Sequence, residues 1–240
     1  DALSFRSSND GVNYSVVNIN GDGGLGEVTS LKNISMATNS VERLTMTRHQ
    51  NGCDLWIIAH EDESDRYLVY LLDSDSLHRT SVNSEIGYVN DGELGYLKVS
   101  PNGKKIAVAH YYGKKVELFD FDNATGLLSN VETFEDLPDV YGIEFSPDNS
   151  KLYASLLTSG SIFQFDLDQS PISKFEFNGL TPSTSAMQLA SNGIIYIATY
   201  GQSKLGTIEN SNAGPTGAIV KKGVLDLDGN RTYFGLPAFP

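Results

Sequence analysis

Four segments of this chain repeat one another, and their spacing constrains the fold more than any other feature. Residues 43–52, 96–103, 142–149 and 186–193 each run as a short alternating strand into an Asn-Gly or Asp-Asn turn. The turn markers Asn51, Asn102, Asp148 and Asn192 stand 51, 46 and 44 residues apart. Such turns suit a tight hairpin, because both central residues tolerate positive φ. A second strand follows each turn (54–60, 105–110, 151–156, 194–199), and a third follows a short polar loop (67–73, 115–120, 161–166, 204–209). The acidic ends of the third strands, Asp73, Asp120, Asp166 and Glu209, keep the same step at 47, 46 and 43 residues. A fourth, more polar strand is expected at 77–82, 127–134, 172–177 and 218–227.

Four strands in each period of about 40–50 residues are the mark of a β-propeller blade. The chain therefore reads as one all-β propeller domain over residues 1–240. Residues 13–20 and 27–36 read as third and fourth strands of an opening blade, and 231–239 as an unaccompanied first strand. Pairing those ends would close a ring of five blades and remove its exposed edges. The blades then fall near 1–40 plus 231–240, 41–93, 94–138, 139–180 and 181–230. The alternative is a fragment of a six- or seven-bladed ring. The opening Asp1-Ala2-Leu3, with Ala2–Arg6 as the one other strand candidate, reads as the start of an excised piece.

Composition agrees and narrows the function. Twelve Tyr and eleven Phe against three Met favour strands. A formal charge of −13 repels phosphate backbones, so no nucleic-acid partner is expected. No apolar run approaches the ~20 residues that span a bilayer, so no membrane insertion is expected either. Cys53 is the single cysteine, read as a buried thiol at a strand start, which excludes an internal disulfide and a cysteine metal cluster.

The segments Gly11-Val-Asn-Tyr-Ser-Val-Val, Gly95-Tyr-Leu-Lys-Val-Ser-Pro, Tyr141-Gly-Ile-Glu-Phe-Ser-Pro, Ala190-Ser-Asn-Gly-Ile-Ile-Tyr and Gly235-Leu-Pro resemble the N-terminal propeller of large bacterial surface proteins exported by the type IX secretion system. Residues 116–126 also resemble the broader YVTN and lactonase-like propellers. The resemblance implies a secreted or cell-surface module of a larger multidomain protein, non-enzymatic, that binds a glycan or protein or presents neighbouring domains in adhesion or motility. The alternative is a lactonase-like or carbohydrate-active propeller enzyme. The matching motifs are scaffold motifs and bring no catalytic residues and no cofactor.

Candidate sites come from blade equivalence. His60 and His110 end the second strands of neighbouring blades, so His60, Glu61, His110, Tyr111, Thr199 and Tyr200 are expected around one rim as a polar and aromatic ligand site. The equivalent first-strand residues Thr45, Lys98, Glu144 and Gln188 are expected to line the central channel, with Lys98 and Glu144 pairing. Gly21-Asp-Gly-Gly-Leu-Gly26 satisfies a dinucleotide fingerprint literally. Glu27-Val-Thr-Ser follows as a strand where that site needs a helix, so a glycine-rich hairpin is expected. The Asp-x-Asp pairs lack the ligand count of a calcium loop and read as turns, with Asp226, Asp228 and Asn230 the nearest to a metal set. No nucleophile elbow or zinc-protease motif occurs.

Overall fold

The structure is a computed structural model that describes residues 11–89, 92 and 94–237. Ala2–Arg6 and residues 238–240 of the expected closing strand lie outside the described residues. Four antiparallel four-stranded sheets follow one another around an axis. Before them stands a hairpin in two parts. β1 (Val12–Tyr14) pairs with β4 (Ile34–Ala37), and β2 (Val17–Asn18) pairs with β3 (Glu27–Val28). The glycine-rich run forms a short 3-10 turn at Asp22–Gly24 at the tip of this hairpin.

Blade I contains β5 (Ser40–Arg48), β6 (Leu55–Glu61), β7 (Arg66–Leu72) and β8 (Val82–Glu85). Blade II contains β9 (Leu97–Val99), β10 (Lys105–His110), β11 (Lys115–Asp122) and β12 (Leu127–Phe134). Blade III contains β13 (Val140–Phe145), β14 (Lys151–Leu156), β15 (Ile162–Asp166) and β16 (Ser173–Phe177). Blade IV contains β17 (Thr184–Leu189), β18 (Ile195–Thr199), β19 (Lys204–Glu209) and β20 (Ile219–Asp226).

The first strands are innermost and pack in succession, β5 against β9, β9 against β13 and β13 against β17. A strand enclosed by neighbours on both faces is shielded along its whole length, whereas an outer strand meets water. Accordingly, every residue of β13 and β14 is buried, while β20 is exposed along almost its whole length. The inner strands approach so closely that a Cβ on Gly142 would lie 2.2 Å from the Ser185 carbonyl oxygen.

The apolar cores lie between blades. Trp56, Ile58, Val69, Ile106, Val108 and Phe119 fill the seam of blades I and II. Ala107, Leu118, Ile143, Phe145, Leu152 and Phe165 fill the seam of II and III. Tyr153, Ile162, Met187, Ile195, Ile197 and Ile208 fill that of III and IV.

Each first turn repeats the same chemistry. The Oδ1 atoms of Asn51, Asn102, Asp148 and Asn192 accept from Asp54 N, Lys104 N, Ser150 N and Ile194 N at 2.9–3.1 Å. Only the following residue takes positive φ: Gly52 at 74°, Gly103 at 69°, Asn149 at 68° and Gly193 at 77°. The turn is thus a hydrogen-bonded turn closed by one left-handed residue, rather than the hairpin with two positive φ angles that the dipeptides suggest.

Four further expectations change. The outer strand of blade I is Val82–Glu85, not 77–82. Asp73 accepts from Asp75 N, Ser76 N and His78, which holds 73–78 as a local turn with Leu77 only bridging Leu72. Cys53 is exposed, because it sits in the first turn before β6 begins. No five-bladed ring is formed among the described residues, which hold four complete blades. Residues 231–237 associate with blade IV, where Ala186 N donates to Phe234 O at 3.1 Å and Thr232 Oγ1 donates to Thr199 O at 2.6 Å. No pairing among the described residues joins that segment to the hairpin of β1–β4.

The turn geometry makes a paired prediction. Gly103→Val forces a β-branched residue into the left-handed region and lowers unfolding free energy by about 1–3 kcal/mol. Asn149→Gly, at the equivalent position, leaves stability within about 1 kcal/mol of the parent. Urea titrations of the two variants check this.

Candidate functional site

His60 and His110 stand near the ends of β6 and β10 but one residue out of register, so they face each other across the seam and the structure brings them together. Their ring centroids lie 6.0 Å apart, edge to face. Both are buried in the seam of blades I and II, not open on a rim, because each faces the neighbouring sheet. The buried Arg43 Nη1 donates to His60 Nδ1 at 3.4 Å, and Arg43 Nη2 donates to the Leu94 carbonyl at 2.7 Å. His60 stacks on Tyr67 at 4.2 Å, nearly parallel. His110 Nε2 lies 3.0 Å from Glu117 Oε2, and Tyr88 packs edge-on at 5.2 Å.

Burial holds His60 well below the usual imidazole value of 6.5, and the Arg43 and His110 charges push in the same direction. Burial raises Glu117, against the opposing pull of the Tyr88 amide, Lys115 and Arg43. The group is a seam of polar contacts rather than an open pocket.

The other expected rim residues separate. Glu61 is held by Arg66 at 2.7 Å. Tyr111 lies against Tyr112 at 5.2 Å and contacts the Asp139 side chain. Thr199 is buried and borders a 290 Å³ pocket with Thr184, Gln202 and Lys222. Tyr200 is 46% exposed and packs 4.7 Å from Phe234.

Along the axis, three of the expected residues form one buried network. Lys98 Nζ donates to Glu144 Oε2 at 3.1 Å and to Gln188 Oε1 at 2.6 Å. Glu144 also accepts from Phe145 N at 3.0 Å and Leu189 N at 2.9 Å. Thr45 does not belong to this set. Counted from the turn markers Asn51 and Asn102, the Lys98–Ala107 pair corresponds to Thr47–Trp56, so Thr47 holds the Lys98 position in blade I. Thr45 lies two residues away on the same face, paired with Ile58.

Beside this network is a mouth that sequence reasoning did not assemble. Tyr96, just before β9, and Tyr141, near the start of β13, meet at 5.3 Å, and Tyr141 lies 6.0 Å from Phe234. Lys98 Nζ lies 6.0 Å from the Tyr96 ring centroid. Both phenols are raised, first by burial; the Leu236 backbone amide donates to Tyr96, and the Glu42 carboxylate raises both rings further. A signal existed in the chain: an aromatic residue precedes glycine at both Tyr141-Gly142 and Phe234-Gly235. This axial end of the first strands gathers the buried Tyr141, the half-buried Tyr96 and Phe234 and, close enough to act on both phenols, the Glu42 carboxylate.

Asp226, Asp228 and Asn230 form a turn, with Asp226 accepting from Asp228 N at 3.0 Å and Asn230 Nδ2 donating to Leu227 O. No group of three or more metal-donor side chains converges among the described residues.

The sequence profile described as "Lactonase, 7-bladed beta-propeller" matches residues 112–230. No curated protein matches the chain. Among solved structures, a putative 6-phosphogluconolactonase from Bacteroides uniformis is similar at 20% identity and TM-score 0.60, over 87% of this chain and 65% of that one. The periplasmic gluconolactonase of Pseudomonas aeruginosa is similar at 16% identity and TM-score 0.52, over 74% and 55%. Virginiamycin B lyase of Staphylococcus aureus is similar at 14% identity and TM-score 0.51, over 87% and 62%. The chain spans less than two thirds of each of these proteins, and at such identities the likeness is one of fold. The profile match overturns the expected non-enzymatic surface module and favours the lactonase-like alternative. The likeness that the comparisons give is to lactonase-like propellers.

The seam carries a pH prediction. A histidine whose folded pKa is depressed stays neutral in the folded chain while the unfolded chain takes up its proton. Stability is therefore full above about pH 6.5 and falls as pH drops below it, by at most about 1.4 kcal/mol per pH unit. Protonation of Glu117, raised in the fold, opposes the loss further into acid. Urea midpoints from pH 8 to 5 should fall for the parent chain, and the fall should be shallower in His60→Gln.

Proposed function

We propose that this propeller is a lactonase-like enzyme that hydrolyses a sugar lactone at the axial mouth. The single observation that carries the reading is the profile match over residues 112–230, which includes Tyr141, Glu144 and Gln188. We assign the four blades to the seven-bladed architecture that the profile describes.

Lactone hydrolysis needs a group to take a proton from the attacking water and donors for the oxyanion that forms on the carbonyl oxygen. At the mouth, Glu42 is the acceptor in this reading. The Tyr141 phenol, kept protonated by burial, donates to the oxyanion. The rings of Tyr96 and Phe234 flank the sugar's C–H faces. Lys98 is committed to Glu144 and Gln188, so it holds the first strands in place and does not react. The histidine seam lies outside this chemistry and supports blades I and II.

The test is hydrolysis of five- and six-membered sugar lactones by the purified chain, followed by acid release at constant pH. Turnover above the buffer rate is expected. Glu42→Gln should lower kcat/KM by about 100-fold and Tyr141→Phe by about tenfold, with the fold unchanged by circular dichroism. A chain no faster than buffer on the whole panel, or a Glu42→Gln variant as active as the parent, rejects the reading.

A further inference from the structure

A second concavity lies away from the mouth, at the opposite ends of blades I and II. It is a groove of about 740 Å³ between the first turns of the two blades and the loop after β11. Its volume falls within the range of small-molecule sites.

The floor of the groove is fixed by three bonds across the seam. Trp56 Nε1 donates to Asn123 O at 2.9 Å, Gln50 N donates to the same oxygen at 3.1 Å, and His49 Nε2 lies 3.1 Å from Ala124 O. A site whose walls are already held loses little freedom on binding.

The charges lining the groove are unequal in commitment. Asp120 is occupied by Lys105 at 2.6 Å and Asn130 at 2.9 Å. Asp122 is occupied by Thr125 at 2.8 Å and Ala124 N at 3.0 Å. Arg48 and Lys104, on facing turns, pair with no carboxylate among the described residues. In a chain of net charge −13 that is notable, because most lysines of the blades have an acidic partner. An incoming ligand thus meets two uncommitted cations, one a planar guanidinium suited to a carboxylate or phosphate. Beside them the amides of Gln50 and Asn123 are neutral donors and acceptors of the kind that hydroxyl groups require.

We propose that this groove binds a small anionic sugar, with Arg48 and Lys104 on the carboxylate or phosphate and the amides on the hydroxyls. The site is separate from the axial mouth and does not depend on lactone hydrolysis.

Trp56 is the only tryptophan and touches the groove through His49, at 5.2 Å between rings, so its fluorescence reports occupancy. The experiment titrates the full chain with glucuronate and with glucose 6-phosphate, using glucose and inorganic phosphate as controls and calorimetry as a second readout. Saturable binding of both anionic sugars is expected, weakening at high salt, at least tenfold tighter than glucose or phosphate alone. Arg48→Met and Lys104→Met should each weaken it by about tenfold, with the circular dichroism unchanged. No binding by either readout overturns the proposal. So does binding of glucose that ignores both substitutions, or phosphate alone bound as tightly as the sugar phosphate. The Glu42→Gln variant should bind the anionic sugars as the parent does, which separates the groove from the mouth.

Discussion

Each sheet of this protein is apolar on both faces at its inner edge, and neither face is covered until another sheet lies against it. That constraint organises the rest. At roughly 25 cal/mol for each Å² of apolar surface removed from water, the seams supply the main driving force, and they do so between blades, not within them. Phe145 and Leu152 belong to blade III, yet they pack with Ala107 and Leu118 of blade II. Each repeat is therefore half of two cores.

The charged groups of the seams are tied into networks. Arg43, with its carbonyl acceptor at Leu94 and its contact to His60, is a charge buried with partners; so are Lys98 and Glu144. Burying a charge without such partners is prohibitive. Because the histidines are consumed in this way, the accessible chemistry falls to groups that the seams leave over: the aromatic mouth around Tyr96 and Tyr141, and the uncommitted cations Arg48 and Lys104.

The repeat was legible because its turns are built from local bonds, and Asn102 and Asn192 reveal their role by type and spacing alone. Register was less legible. Counted back from the turn, the ladder puts Thr47 where blade II has Lys98, and a bulge interrupts the pairing between Ser40 and Leu44. Matching Leu44 to Leu97 by residue type therefore puts Thr45 at the Lys98 position, two residues early. That His60 and His110 both end second strands was visible, but not that they face each other in a buried seam, because a strand end gives no sign of which sheet lies over it. The mouth was hidden for a related reason. Tyr96, Tyr141 and Phe234 are remote in sequence, and only closure of the first strands around the axis gathers them.

The bonds from Lys98 have a consequence for how the molecule comes apart. In an open stack of repeats each unit touches only its neighbours, so the ends can fray while the middle stays folded. Lys98 of blade II reaches past blade III to Gln188 of blade IV, and Tyr96 receives the amide of Leu236 beyond it. Such ties couple units that are not adjacent, so damage in one sector is transmitted to a distant one, and the assembly behaves as a single cooperative body instead of a row of independent tiles.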